Sequence, residues 1–376
     1  MDEKARPSLA PAFLSMVLLG ALSVMVGALL PAIIQSLALN DAQAGLLVSS
    51  PAVGYVLAAA LAGIMGDALG FRRVWLIGVG MGLLAILGIA LAPSFAWLLP
   101  AVGATGLVAG LCDGSINPLI ALLAQGRSGG VLNRVHLFFG IGATVTPFLI
   151  GLGLRLGLPW RAHYFLLSCY LLLVGASIRR ARFPQREKLP PTSLPPRWQL
   201  IKTIPFALLA IFIYGGVEAS IFSWTATYLE RRALASLATS SLGVSLFGIA
   251  MMVGRLLCSF AAERIGYKRL IIGGALGGAA ALSMLLLAPG PFLPWVGLGL
   301  AGLALAGIFA TIMADVTQRV SQRAGTVAGA TCSSSGLGKI LLPWLVGQVA
   351  QATNLEAALW LVVFGAVAIA AAYACT

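Results

Sequence analysis

Three ionisable side chains lie far inside long apolar stretches of this chain: Asp113, Glu218 and Lys339. Where such stretches cross a bilayer, a charge at the centre of a helix costs about 2.5–3.5 kcal/mol, so it must have a partner, a wet cavity or a task. Asp113 stands four residues before Asn117, with Gly106 and Gly110 on the same helical face. That spacing gives either a polar cavity wall or a hydrogen-bonding patch between closely packed helices. Glu218 has Tyr214 one turn before it. Unpaired in apolar surroundings a carboxylate favours its protonated form and can carry a proton, whereas paired with a cation it would be structural. Tyr214 then reads as a hydroxyl or sugar-stacking partner. Trp224 and Tyr228 form a second, rotated stripe, in which Trp224 is either a substrate platform or packing. Lys339 is followed four residues later by Pro343, whose ring clashes with the Lys339 carbonyl and which has no N–H to offer it. A kink and a free carbonyl are expected there, with Cys332 and Ser335 on the lysine's face. The lysine is expected to face a cavity, binding an anion, or to pair with Glu218 or Asp113. His136, beside Arg134, is a weaker candidate for proton handling. Arg255 and Asp315, near helix ends, read as inter-helix locks within snorkelling reach of head groups.

The elements that must hold these residues are membrane spans. The chain is 60% hydrophobic and only 9% charged, where a soluble domain carries about 25% charged residues. Its mean hydropathy is +0.99. The apolar runs have helical length and lack the ten-residue alternation of a membrane β-barrel. The first, from about Leu9 to Leu39, far exceeds the core of a signal peptide. Twelve spans are expected, at about 9–38, 42–64, 74–92, 96–124, 131–154, 162–178, 201–229, 237–261, 269–288, 293–315, 324–349 and 355–374. With the N-terminus cytoplasmic, 18 of the 24 Lys and Arg fall on that side, counting Arg134 and Lys202 at the cytoplasmic ends of their spans, 4 fall outside (Arg155, Arg161, Arg231, Arg232) and 2, Arg255 and Lys339, lie deeper within spans. The net charge of +13 is thus a topology signal, directed at lipid head groups and not at nucleic acid. Both termini are expected in the cytoplasm, in a multi-pass protein of a bacterial inner membrane. The five cysteines, without a C-x-x-C or a nearby His, read as small apolar residues.

The chain repeats itself. Gly63-Ile-Met-Gly-Asp-Ala-Leu-Gly-Phe-Arg-Arg73, a short basic turn between apolar runs, returns as Ser259-Phe-Ala-Ala-Glu-Arg-Ile-Gly-Tyr-Lys-Arg269 at an offset of 196. Asp67 matches Glu263, Gly70 matches Gly266, and Arg72 and Arg73 match Lys268 and Arg269, with Arg264 added in the second copy. At the same offset Gly140, Gly142, Pro147 and Gly151 match Gly336, Gly338, Pro343 and Gly347, while Ala143 stands where the second copy has Lys339. Between the copies runs a basic segment with five prolines, an extended spacer of the kind such composition favours. The expected organisation is a six-helix bundle over 1–178, a linker over 179–200 and a second bundle over 201–376. Repeats of this parallel kind, related by an axis along the membrane normal, belong to transporters whose site lies between the halves. In the basic turns, glycine permits the tight reversal and the acid can sit against a helix N-terminus.

The two turns and the 6+6 layout resemble the major facilitator superfamily over essentially the whole chain. Asp113-Gly-Ser-Ile-Asn-Pro118, Leu132-Asn-Arg-Val-His-Leu-Phe-Phe-Gly-Ile-Gly-Ala143 and Tyr214-Gly-Gly-Val-Glu-Ala-Ser220, with Trp224 and Tyr228, are similar to segments of its fucose, galactose and glucose:proton symporters and related sodium-dependent glucose carriers. The resemblance implies an all-α fold of twelve transmembrane helices in two pseudo-symmetric bundles, with the basic turns latching the halves in the outward-open state. It also implies a helix-4 acid, here Asp113, in substrate or proton handling. Departures are Ala68 in place of a basic residue, and Gly27 where the symporters carry a helix-1 acid.

No phosphate-binding loop, metal cluster or nucleophile triad is expected, and no cofactor. Gly297-Leu-Gly-Leu-Ala-Gly302 matches a dinucleotide fingerprint but lies within a membrane run with no strand before it. The expected function is therefore secondary active transport, not enzymatic catalysis, by a monomer. The solute is expected to be small and polar, sugar or sugar-like, coupled to a proton or to sodium, with Asp113 and Glu218 as coupling groups and Asn117, Tyr214 and Lys339 as solute contacts. The alternatives are proton-driven efflux of a drug or metabolite, or carriage of an organic anion. Gly142 to Pro147 and Gly151 are similar to an antiporter motif, but Thr146 replaces its second glycine and Pro100 stands about where exporters carry arginine.

Overall fold

A computed structural model describes residues 10–123, 128–181, 204–232, 234–319 and 324–376. Its helices in chain order are α1 (Ala10–Leu37), α2 (Asp41–Leu69), α3 (Phe71–Leu91), α4 (Phe95–Leu123), α5 (Ser128–Arg155), α6 (Trp160–Arg180), α7 (Pro205–Arg231), α8 (Leu237–Ile265), α9 (Tyr267–Leu287), α10a (Leu293–Leu305), α10b (Ile308–Arg319), α11 (Ala324–Ala352) and α12 (Leu355–Ala374). Long helices are what such a chain must form in lipid, because each satisfies its backbone N–H and C=O groups internally. Among the described residues, eleven helical spans, with α10a and α10b taken as one, are long and apolar enough to cross a membrane. The twelfth, α11, has the length of the others but carries Ser333, Ser334, Ser335, Lys339, Gln348 and Gln351. Ala306 and Gly307 interrupt the helix between α10a and α10b, and the two pieces form one span, Leu293–Arg319, at the span expected at 293–315. Of the linker expected at 179–200, Arg179 and Arg180 still belong to α6, and 182–200, with all five prolines, lies outside the described residues.

Local chemistry repeats with the sequence. Asn40 caps α2 in a reciprocal box with Gln43 (2.8 and 3.1 Å), and Ser236 with Thr239 does the same before α8 (3.3 and 2.9 Å). Gly70 and Gly266 take φ of +83° and +87° at the α2–α3 and α8–α9 turns, a backbone state in which a side chain would be strained. Helix pairs approach closely where glycines recur. A Cβ at Gly106 would overlap the Pro51 carbonyl oxygen, and one at Gly302 would lie 2.8 Å from that of Phe247, both residues shifted by 196. Gly142 lies against the Val17 carbonyl and Gly338 against that of Phe212. These contacts bring α2 to α4, α8 to α10a, α1 to α5 and α7 to α11, the small-residue packing that holds helices together in lipid.

One bundle is built of α1–α6 and the other of α7–α12. They meet along α1 with α7, α2 with α11 and α5 with α8. At the face bearing Asp41 and Arg231 the halves are tied together. Arg231 donates to both carboxylate oxygens of Asp41 (2.5 and 3.0 Å), Gln35 donates to Glu230 (2.9 Å) and the Asp41 N–H donates to Gln351 (3.0 Å). At the other face, which carries the Gly70 and Gly266 turns, bonds stay within each half. Arg72 donates to the Arg179 carbonyl, Lys268 to that of Ala374, and Asp315 takes Arg319 and the Tyr373 hydroxyl. Among the described residues no hydrogen bond or ion pair joins the halves there. Among the described residues the halves are therefore tied together at one face and parted at the face of the basic turns.

Candidate functional site

The polar residues inside the membrane gather into two clusters, one on each bundle. In the second, Glu218 lies midway along α7 and its side chain is 12% exposed. Its Oε1 accepts from the Tyr214 hydroxyl (3.1 Å) one turn earlier and from Arg255 Nη2 of α8 (3.2 Å). Its Oε2 faces Lys339 Nζ, midway along α11, at 3.6 Å. The cations are the wetter partners: the side chains of Arg255 and Lys339 are 44% and 42% exposed. Arg255 was legible in the sequence only as an inter-helix lock, and the structure supplies its partner. A charged residue three turns from a helix end has reach in either direction, so sequence alone leaves that partner open.

In the first bundle Asp113 of α4 accepts from the Tyr55 hydroxyl of α2 (2.7 Å). Tyr55 carried no signal in the sequence beyond its place in an apolar run. Across the interface, α11 brings Cys332 within electrostatic range of Asp113, Tyr55 and Lys339, and Gly336 packs on Val56. The two clusters therefore lie on facing walls on either side of the α2–α11 contact.

Two aromatic side chains take the packing alternative in this structure. Trp224 is fully buried and donates from Nε1 to the Pro343 carbonyl (3.1 Å), so its ring packs α7 on α11 and offers no platform to a solute. The Tyr214 ring is likewise fully buried, near Phe309 with centroids 6.4 Å apart, so it does not stack on a sugar. Its hydroxyl orients Glu218 instead. Tyr228, also buried, donates to the Leu285 carbonyl (3.1 Å). Helix α11 runs through Pro343 without interruption. The side chains of Asn117, His136, Asp67 and Glu263 lie outside the described residues, as does that of residue 259; Gly63 lies in α2. Arg73, Arg264 and Arg269 are exposed at the parted face. Among the described residues no group of His, Cys, Asp and Glu is placed to hold a metal ion.

Comparison with known proteins decides the family. The Major Facilitator Superfamily model matches residues 12–343. The chain belongs to that superfamily. It is a multi-pass membrane transporter and not an enzyme. Among curated relatives, the uncharacterised superfamily transporter YceJ of Bacillus subtilis is 27% identical, over 91% of this chain and 89% of its own length. The fosmidomycin resistance protein of Escherichia coli is 25% identical, over 75% of this chain and 71% of its own. Among solved structures, a mutant nucleoside transporter NupG superposes with a TM-score of 0.85 at 16% identity, covering 98% of each chain. A D-xylose–proton symporter gives 0.80 at 16%, covering 96% of this chain and 95% of its own. The fucose:proton symporter of Escherichia coli gives 0.65 at 18%, covering 98% of each. At such identities these likenesses show the fold alone.

Proposed function

We propose that this facilitator carries a small polar, sugar-like solute by alternating access, exchanging protons through Asp113 in one half and Glu218 in the other. The observation that supports this reading is the facing pair of carboxylate clusters, Asp113 with Tyr55 and Glu218 with Tyr214, Arg255 and Lys339, at the interface of two bundles that are tied at one face and parted at the other. A site at the interface of repeats, opened to each side in turn by rocking of the bundles, is how such folds move a solute. The basic residues of the Gly70 and Gly266 turns place the parted face in the cytoplasm by the positive-inside rule, and both termini with it. The conformation described is then inward-facing, with the turn residues Asp67, Arg72, Arg73, Glu263, Arg264, Lys268 and Arg269 as parts of the latch that re-forms when the molecule opens outward. The transporter works as a monomer in the bacterial inner membrane.

Uptake of labelled sugars into proteoliposomes, with and without a pH gradient, tests the reading. Gradient-driven accumulation that is lost in Glu218→Gln or Asp113→Asn is the expected result. Accumulation unchanged in both variants would sink the coupling assignment. Export is the second reading, favoured by the likeness to the fosmidomycin resistance protein, and the same vesicles report it as gradient-driven loss of preloaded solute.

A further inference from the structure

We propose that Arg255 and Lys339 form a recognition site for an acidic group, so that the transported solute is a small hydroxylated organic anion and not a neutral sugar. This rests on the reading that the interface between the bundles is the transport route. The donors left over on two wet cations carry it. On the wall of the second bundle two cations share one carboxylate, Glu218, deep in the membrane. The acid across the interface, Asp113, is hydrogen-bonded to the neutral Tyr55 hydroxyl of its own bundle.

Geometry says which partner would supply it. Glu218 lies behind the cations, at 12% exposure against their 44% and 42%, so a solute entering from the parted face meets the cations first. Arg255 spends only Nη2 on the carboxylate, which leaves the rest of its planar fork of donors for acceptor oxygens. Lys339 Nζ, at 3.6 Å, is beyond hydrogen-bonding distance of Glu218 and keeps its three N–H groups available to the cavity. A carboxylate or phosphate accepts from both cations at once through charge-assisted hydrogen bonds, which are about twice as strong as those a neutral hydroxyl would make. Across the interface Asp113 and the Tyr55 hydroxyl offer acceptors to the solute's hydroxyl groups. The solute class that fits both walls is a polyhydroxylated acid.

The test is counterflow exchange by the full-length chain in proteoliposomes, which reads transport in either direction, with D-gluconate, D-glucose 6-phosphate and D-glucose as probes. The expected result is exchange of one or both anions at least about tenfold faster than of D-glucose, a discrimination of about 1.4 kcal/mol. Lys339→Gln and Arg255→Gln should each cut anion exchange at least about tenfold, and Lys339→Arg, which keeps the charge, should restore most of it. The carboxylate and phosphate arms identify which acid is read. Exchange of D-glucose as fast as of either anion, or anion exchange that survives both neutral substitutions, overturns the inference and leaves the sugar-like transport reading standing. Exchange of none of the three by folded wild-type protein overturns both.

Discussion

The two bundles are the same structure carrying different chemistry. Their glycines, caps and turns correspond: Gly106 on Pro51 with Gly302 on Phe247, the Asn40 cap with the Ser236 cap, and Gly70 with Gly266. Their polar residues do not. At the repeat offset of 196, Arg255 and Lys339 correspond to Ala59 and Ala143, and Asp113 corresponds to Phe309. Along α7 the close contacts are shifted by 195, since Phe212 stands for Val17, and this pairs Glu218 with Ser23. The scaffold was thus duplicated in detail, while each interior charge occurs in one half without a charged counterpart in the other. What both halves keep is what lets helices approach in lipid, and what one half alone has is where a particular solute can be distinguished.

The comparison breaks most visibly at the shared glycines. Gly142→Leu and Gly338→Leu should each destabilise the fold by about 3 kcal/mol or more, because the side chain meets backbone that cannot yield. Thermal unfolding in detergent should show the two losses alike, and tolerance of one of them would end the equivalence of the halves. The unshared charges come next. Glu218→Gln should lower transport at least about tenfold by leaving two cations without their carboxylate, while Ser23→Ala, at the corresponding site, should leave rates within about twofold. Asp41→Asn should weaken the tie to Arg231 and shift the population toward the outward-open state. The shift is about fivefold at most, since an ion pair this exposed contributes about 1 kcal/mol or less. Distances between spin labels on the two bundles at that face would register it. Smallest, Tyr214→Phe keeps the buried ring and removes one hydrogen bond to Glu218, for a change of about twofold to fivefold in apparent solute affinity.

Much of the fold was legible because membrane physics leaves few choices. Apolar runs of helical length, basic residues gathered on one side and an offset of 196 between two glycine-bearing turns suffice for twelve spans in two repeats. The interior charges were legible for the same reason, since Asp113, Glu218 and Lys339 stand out against their surroundings. Their partners were less so. That Arg255 turns toward Glu218, and that Tyr55 holds Asp113, depends on which faces of α2, α4, α7 and α8 meet. Spacing along one helix does not encode the rotation of its neighbour. The aromatic alternatives stayed open on that point: Trp224 lies among small residues that could equally have faced water, and its indole N–H reaches the Pro343 carbonyl of α11 in a fully buried site. The twelfth span shows the reverse case, its Ser333–Ser335 and Lys339 lowering the hydropathy of α11 because that helix lines the interface.

On the transport mechanism proposed above, the charged cluster on the second bundle faces a water-filled route open at the basic face. Cys332, exposed on α11 within electrostatic range of Asp113 and Lys339, is a native reporter of it. With Cys112, Cys169, Cys258 and Cys375 replaced by serine or alanine, a membrane-impermeant maleimide should label Cys332 readily in inside-out vesicles and slowly in right-side-out ones. A Cys332 that stays unlabelled from both sides while the protein is folded would contradict the claim.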